Sequence, residues 1–282
     1  MAERTTTILV EGLRFPEGPR WHDGRLWCSD QHDRRVLAIG TDGVVETIVE
    51  VPHGPSGLGW LPDGRMLVVS MEDRRLLRLD ADGLTEVADL SELATWHCND
   101  MVVDATGRAY VGNFGFDLDG HAEVTPAAMM RVDVDGSVHL AVPDLRFPNG
   151  TVITPDGATL VVGESYGGCL TAFDVAADGE LSNRREWAKL VGAVPDGICL
   201  DAEGAIWSAC PLTGRVLRVR EGGEVTDEVH VDRNGAYACM LGGVDRTTLF
   251  VCAADTNDPA HTDERRGAIE MCEVDVPGAG LP

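Results

Sequence analysis

The chain has 282 residues, with 23 Lys and Arg against 47 Asp and Glu, a formal net charge of −24. That balance excludes nucleic acid and anionic membrane surfaces as partners, because both call for basic patches. Gly is abundant at 33 residues and aromatics make up only 5%, and with short apolar runs and no extended helical period this composition points to an all-β protein.

No apolar run reaches the length of a membrane span. The first residues, Met1 to Thr7, lack the apolar core of a secretory signal, so a cytoplasmic protein is expected. None of the eight cysteines forms a C-x-x-C pair, and several sit inside apolar runs. Reduced, buried thiols follow, rather than a thiolate zinc site. With no linker or break in composition, residues 1–282 read as a single domain.

Taken in order, Thr5 to Val10 is a β-branched run that precedes the first repeated unit. The first unit follows Phe15-Pro16-Glu17-Gly18 and turns at His22-Asp23-Gly24. The second begins at Ser56-Gly57 and turns at Pro62-Asp63-Gly64. The third begins at Asn99-Asp100, turns at Ala105-Thr106-Gly107 and carries an insertion from Phe114 to Ala128. The fourth begins at Phe147-Pro148-Asn149-Gly150 and turns at Pro155-Asp156-Gly157. The fifth begins at Val194-Pro195-Asp196-Gly197 and turns at Ala202-Glu203-Gly204. The sixth begins near Tyr237 and turns at Val244-Asp245-Arg246. Six units at a spacing of roughly 40–50 residues fit the blades of a propeller. The recurring Asp-Gly between apolar runs is a hairpin signal. The expected fold is a six-bladed β-propeller with four-stranded blades. Its ring would be closed by pairing the early strand with the run Ala268 to Val274, hiding an open edge.

The residue that varies within the repeated frame carries the chemistry. Glu17, Asn99, Asn149 and Asp196 each stand at or beside the start of a unit's first strand, where equivalent positions surround a propeller's axis. Two carboxylates and two amides are a hard, all-oxygen set that suits Ca²⁺, Mg²⁺ or Mn²⁺ better than a soft metal; Zn²⁺ is a less favoured possibility. Asp63 and Asp156 share the Pro-Asp-Gly sequence but follow the first strand, so they read as solvent-facing turns. No Ser lies in a G-x-S-x-G elbow, which argues against a serine hydrolase. Phe114 and Phe116, on the insertion, read equally as a pocket wall or as aromatics packed on the blade.

The segments Phe15 to Pro19, His97-Cys98-Asn99-Asp100, Phe147 to Gly150 and Pro195-Asp196-Gly197 together resemble the senescence marker protein/gluconolactonase family, and the resemblance extends over essentially the whole chain. It implies a six-bladed propeller with one divalent cation on the axis. It implies Glu17, Asn149 and Asp196 as metal ligands, Asp196 also as general base or nucleophile, and Asn99 as a substrate contact or fourth ligand. The implied activity is lactone hydrolysis on a small-molecule substrate by a monomer or small homo-oligomer. Sugar-lactone members often carry Arg where this chain has His97, so the pocket is expected to be less suited to a polyhydroxylated sugar. His97 is then a candidate substrate contact, as acid, base or hydrogen-bond donor, with Phe114 and Phe116 beside it. The alternatives are other chemistry on the same scaffold, such as organophosphate hydrolysis or a step on a biosynthetic intermediate, and a non-catalytic propeller with a structural metal.

Overall fold

Many of the apolar runs end at tight turns that carry Gly or a short polar residue at positive φ. Asp23 and Gly24 both hold positive φ (48° and 73°), the geometry of a tight hairpin between Pro16–His22 and Arg25–Asp30. Asp63 caps its own turn by accepting the Arg65 N–H at 3.1 Å, and Asp63 and Asp156 face solvent as expected. Repeating this hairpin gives six antiparallel meanders, arranged as a six-bladed β-propeller in a computed structural model that describes residues 4–280. The innermost strands are Pro16–His22, Pro55–Trp60, Cys98–Val103, Pro148–Ile153, Ile198–Leu200 and Gly235–Gly242. Among the described residues no helix is long and apolar enough to cross a membrane.

The ring closes within the sixth blade. Thr7–Leu13 pairs antiparallel with Gly267–Glu273 as the outer strand of the sixth blade. The early run is not one strand, however: Arg4–Thr5 pairs parallel with Val225–His230 of the fifth blade. The break falls at Thr6, whose N–H donates to His230 O while its hydroxyl donates to Glu270. Glu270 is fully buried and also accepts the Asp232 and Arg233 N–H groups at 2.8 and 3.1 Å. The N-terminal segment thus clasps two blades, and the buried carboxylate is satisfied by fixed donors.

Apolar faces of neighbouring sheets fill the space between blades, with Trp207, Tyr110 and Phe250 among the largest wholly buried side chains. All eight cysteines are free and six are buried.

Around the axis the inner strands approach so closely that the frame's Gly is a steric requirement. A Cβ on Gly150 would lie 2.3 Å from Ile198 N of the next blade, and one on Gly197 would lie 2.3 Å from Ala238 Cβ. Backbone hydrogen bonds run across the same gaps, Gly150 N–H to Asp196 O at 3.2 Å and Gly197 N–H to Tyr237 O at 2.8 Å. Gly150→Ala is therefore expected to destabilise the fold by about 1–3 kcal/mol, the range for overpacking, because the obstacle is backbone that cannot rotate away. Urea denaturation checks this, and a midpoint unchanged from the parent would contradict it.

Candidate functional site

The strand ladders slip at the same place in unit after unit. Register shifts fall between Glu17 and Arg20, Pro55 and Leu58, Cys98 and Met101, and Pro148 and Thr151. In the fifth blade the strand starts only at Ile198, after Asp196 and Gly197. A bulge removes its residues from the alternating pattern and re-aims a side chain. In the third and fourth blades the slip leaves Asn99 and Asn149 outside the ladder, whereas Glu17 is still paired with Ser29 and the first blade slips just after it. Proline contributes by having no N–H to lose from the ladder.

Phe147, the first residue of the fourth frame, holds φ at 60°, an uncommon conformation for a bulky residue. Packing compensates: Phe147 is buried and its ring stacks on Phe114 at 4.6 Å, with Phe116 and Tyr166 at 5.9 and 5.5 Å. Strain held by surrounding structure in this way clusters at functional sites.

Glu17, Asn149 and Asp196 come together at this end. Asn149 and Asp196 line one cavity of about 300 Å³. The Asn149 amide Nδ2 donates to Ser165 Oγ at 3.3 Å. Glu17 accepts the Gly18 N–H at 2.8 Å and stands close enough for its charge to act directly on Asp196. Burial, then Glu17, then Asp100, push the Asp196 carboxyl well above the ordinary carboxylate range. Burial, opposed by the Gly18 N–H and Arg20 and assisted by Asp100, pushes Glu17 up to about 8.

Below these residues lies a buried ion pair. Arg20 Nη2 donates to Asp100 Oδ1 at 2.6 Å and to Met101 O at 2.5 Å, and Nη1 donates to Pro19 O at 2.9 Å. Arg20 thus spends its one positive charge on Asp100. Three carboxylates against one guanidinium leave two negative charges when all are ionised.

The donor chemistry fits a divalent cation. Asp196 Oδ1 is buried with no hydrogen-bond partner among the described residues, an expensive state unless something else meets it. The set offers only oxygen, and its uncompensated charge is that of one divalent ion. Among the described residues no cluster gathers three His, Cys, Asp or Glu side chains for a metal; here the third donor is an amide.

This charge has a consequence for stability. A carboxyl whose folded pKa exceeds its ordinary 4.5 takes up a proton on folding, so its contribution is full below that value and is lost as pH rises toward about 8. The cation-free protein is expected to lose Tm between pH 5 and pH 8, and added Ca²⁺ to restore more at pH 8 than at pH 5. Thermal unfolding followed by circular dichroism tests both; a Ca²⁺ effect that does not grow with pH would contradict the assignment.

Of the remaining expected residues, Asn99 lies beside this trio, whereas His97 and Phe114 line a different cavity. Asn99 is buried and its Nδ2 donates to Pro148 O at 3.1 Å, bridging two blades. His97 and Phe114 line an adjoining cavity of about 310 Å³ together with Gln31 and His32. Leu118 and Asn257 border both cavities. Burial lowers the pKa of His97 and takes His32 down to about 4, so both imidazoles are neutral near pH 7. His97 stacks against Trp96 at 5.1 Å. Phe116 is buried behind Phe147 and Tyr166 and lines neither cavity.

The family model described as SMP-30/Gluconolactonase/LRE-like region matches residues 15–255. The chain belongs to this family. Regucalcin of Danio rerio is 32% identical over 174 residues, 60% of this chain and 58% of its own. The 6-deoxy-6-sulfogluconolactonase of Pseudomonas putida is 29% identical over 190 residues, 65% of this chain and 64% of its own. The matches thus span somewhat under two thirds of these relatives. The crystal structure of a calcium-binding protein, regucalcin, from Agrobacterium tumefaciens superposes with a TM-score of 0.82 at 22% identity, covering 100% of this chain and 99% of that one. At that identity the likeness bears on the fold alone.

For this SMP-30/gluconolactonase family chain, sequence reasoning missed most of the cavity wall. Ser165, Tyr166, Val194, Leu212, Tyr237 and Asn257 all line the cavity at Asp196. Val194 opens the fifth frame and so had a signal. Tyr237 had none, because the sixth unit lacks the Pro-x-Gly frame.

Proposed function

We propose that this chain is a divalent-cation-dependent hydrolase of lactones, with Glu17, Asn149 and Asp196 holding the cation. Membership of the SMP-30/gluconolactonase family supports the reaction class, as does similarity to a relative named as a sulfogluconolactonase. Similarity to a structure described as a calcium-binding protein makes Ca²⁺ the first cation to try. The observation that carries the reading is the pair of uncompensated carboxylates, one with an unpartnered buried oxygen, beneath a cavity of small-molecule size.

When bound, the cation supplies Lewis-acid polarisation of a lactone carbonyl. The chain supplies the rest. Asp196 lines the cavity and is held by backbone hydrogen bonds on both sides, its N–H to Ala209 O at 3.0 Å and its carbonyl from Gly150 N–H. It is the group that takes the proton from an attacking water and returns it to the leaving alkoxide. Asn149 lines the same cavity beside Asp196, its amide held by Ser165 Oγ. The aromatic wall of Phe147 and Tyr166 limits water around the ester, strengthening the electrostatics of the step.

The test is lactone hydrolysis, followed with a pH indicator, by metal-stripped protein with Ca²⁺, Mg²⁺, Mn²⁺ and Zn²⁺ added back singly. Turnover that vanishes on stripping and returns with a cation supports the proposal. Cation binding without turnover of any lactone moves the reading to other chemistry at the same centre, such as phosphotriester hydrolysis, which a largely apolar cavity also suits. Neither binding nor turnover contradicts both.

A further inference from the structure

The cavity above Asn149 and Asp196 is walled by Leu118, Phe147, Tyr166, Val194, Pro211 and Leu212. Two of these stand unusually open for their size, Tyr166 at 46% and Leu212 at 78% exposure. They flank the cavity from different blades, so together they form an apolar mouth.

The polar complement is small and mostly spoken for. Ser165 Oγ donates to Pro195 O at 2.8 Å and accepts from Asn149 Nδ2 at 3.3 Å. What remains to meet a ligand is the Asn149 carbonyl oxygen, the Asp196 carboxylate, the Tyr237 hydroxyl and the exposed Asn257. The first two belong to the reacting end. A polyhydroxylated ring would therefore bring several hydroxyls against carbon, each losing water without a replacement partner.

The adjoining cavity offers no free cation for an anionic sugar derivative either. Arg14 is paired with Asp33 and Asp263 at 3.3 and 2.8 Å, and Arg34 with Glu72 at 2.9 Å. His32 and His97 beside them are neutral near pH 7. Neither a phosphate nor a sulfonate finds an unpaired charge there.

We propose that this site takes a lactone bearing an apolar alkyl or aryl substituent, with the ester at Asn149 and Asp196 and the substituent held between Tyr166 and Leu212. This rests on the lactone reading above and adds the substrate class. Leu212 is the specificity-determining residue that this assignment singles out, because it sits in the loop between Ile206–Cys210 and Arg215–Val219 and is tied to no core cluster.

The test uses two hydrolysis-resistant lactams, one δ-lactam with a pentyl arm and one with the hydroxyls of gluconolactone, titrated calorimetrically into full-length protein in Ca²⁺. The alkyl lactam is expected to bind at least about tenfold more tightly, and Leu212→Asp to erase most of that advantage. In parallel, kcat/KM is compared for the corresponding alkyl and sugar lactones. Equal or tighter binding of the hydroxylated lactam overturns the proposal, as does binding of neither lactam, or an alkyl preference that survives Leu212→Asp. Preferential binding of the alkyl lactam with no turnover of either lactone supports the substrate class and overturns the hydrolase reading, so the two failures are distinguishable. Because Leu212 is largely exposed, the variant is expected to keep the parent Tm, which thermal unfolding verifies.

Discussion

Asp196→Ala is expected to lower kcat/KM on the best lactone by at least about 10³-fold, since it removes a proton acceptor and a cation ligand in one step. The effect should lie in kcat, because the apolar wall that holds the substrate is untouched. The fold should survive. Asp196 makes its structural hydrogen bonds through the backbone, to Ala209 and from Gly150, and its side-chain Oδ1 has no partner to lose. Deleting a desolvated, unpaired carboxylate relieves a cost rather than adding one. In the absence of cation the variant is therefore expected to match or exceed the parent's Tm, while Ca²⁺ no longer raises it. Steady-state kinetics and thermal unfolding check the two halves independently. An active Asp196→Ala enzyme contradicts its catalytic role, and a variant whose cation-free form unfolds early contradicts the account of its burial.

Arg20→Met is expected to have the largest effect on stability. Arg20 and Asp100 are 6% and 7% exposed, and their hydrogen bond of 2.6 Å is the one positive contribution to this part of the axis. Met preserves much of the volume but leaves Asp100 buried without a counter-charge, next to Glu17 and Asp196. Breaking a buried pair in this way costs about 3–5 kcal/mol, roughly 10 °C in Tm for a chain of this size. Replacing both partners, as Arg20→Met with Asp100→Leu, should recover most of the loss, because two apolar groups need no compensation. Urea melts of the single and double variants form the test. A single variant as stable as the parent would mean that Asp100 is neutralised in some other way. The single variant should also bind a cation more tightly per folded molecule, since one more negative charge then faces the site.

The propeller was legible because its signals are local and repeated. Asp23-Gly24 and Pro62-Asp63-Gly64 announce hairpins within a few residues, and six such units at even spacing admit few other folds. The frame itself was legible in part. Its Gly is explained by the close approach of Gly150 to Ile198 and of Gly197 to Ala238, and the oxygen residue of the fourth frame by the register slip that turns Asn149 out of the ladder.

Other parts were hidden because their meaning depends on distant partners. Arg20 reads as an ordinary strand residue until Asp100, 80 residues away, is placed beside it. The same holds for Glu270, whose donors come from Thr6, Asp232 and Arg233. The early run Thr5 to Val10 looks like one strand, and only the crossing from blade five to blade six divides it. His97 stands two residues before Asn99 in sequence, but the loops bearing Leu118 and Asn257 set its cavity apart from the one at Asp196. Leu212 lies in a loop outside the repeated frame and Tyr237 in a unit that lacks it, so the frame could not nominate them.

The central claim is that Glu17, Asn149 and Asp196 form one cation site, and calorimetric titration of Ca²⁺ into metal-free protein at pH 7 tests it most directly. Performed in two buffers of different ionisation enthalpy, it yields both stoichiometry and proton release. One ion per chain is predicted, with a proton released on binding because Glu17 is protonated up to about pH 8 when the site holds no ion. The same titration of Asp196→Ala should give no binding in that range. Binding that leaves the protons in place, or that persists undiminished in Asp196→Ala, would contradict the site.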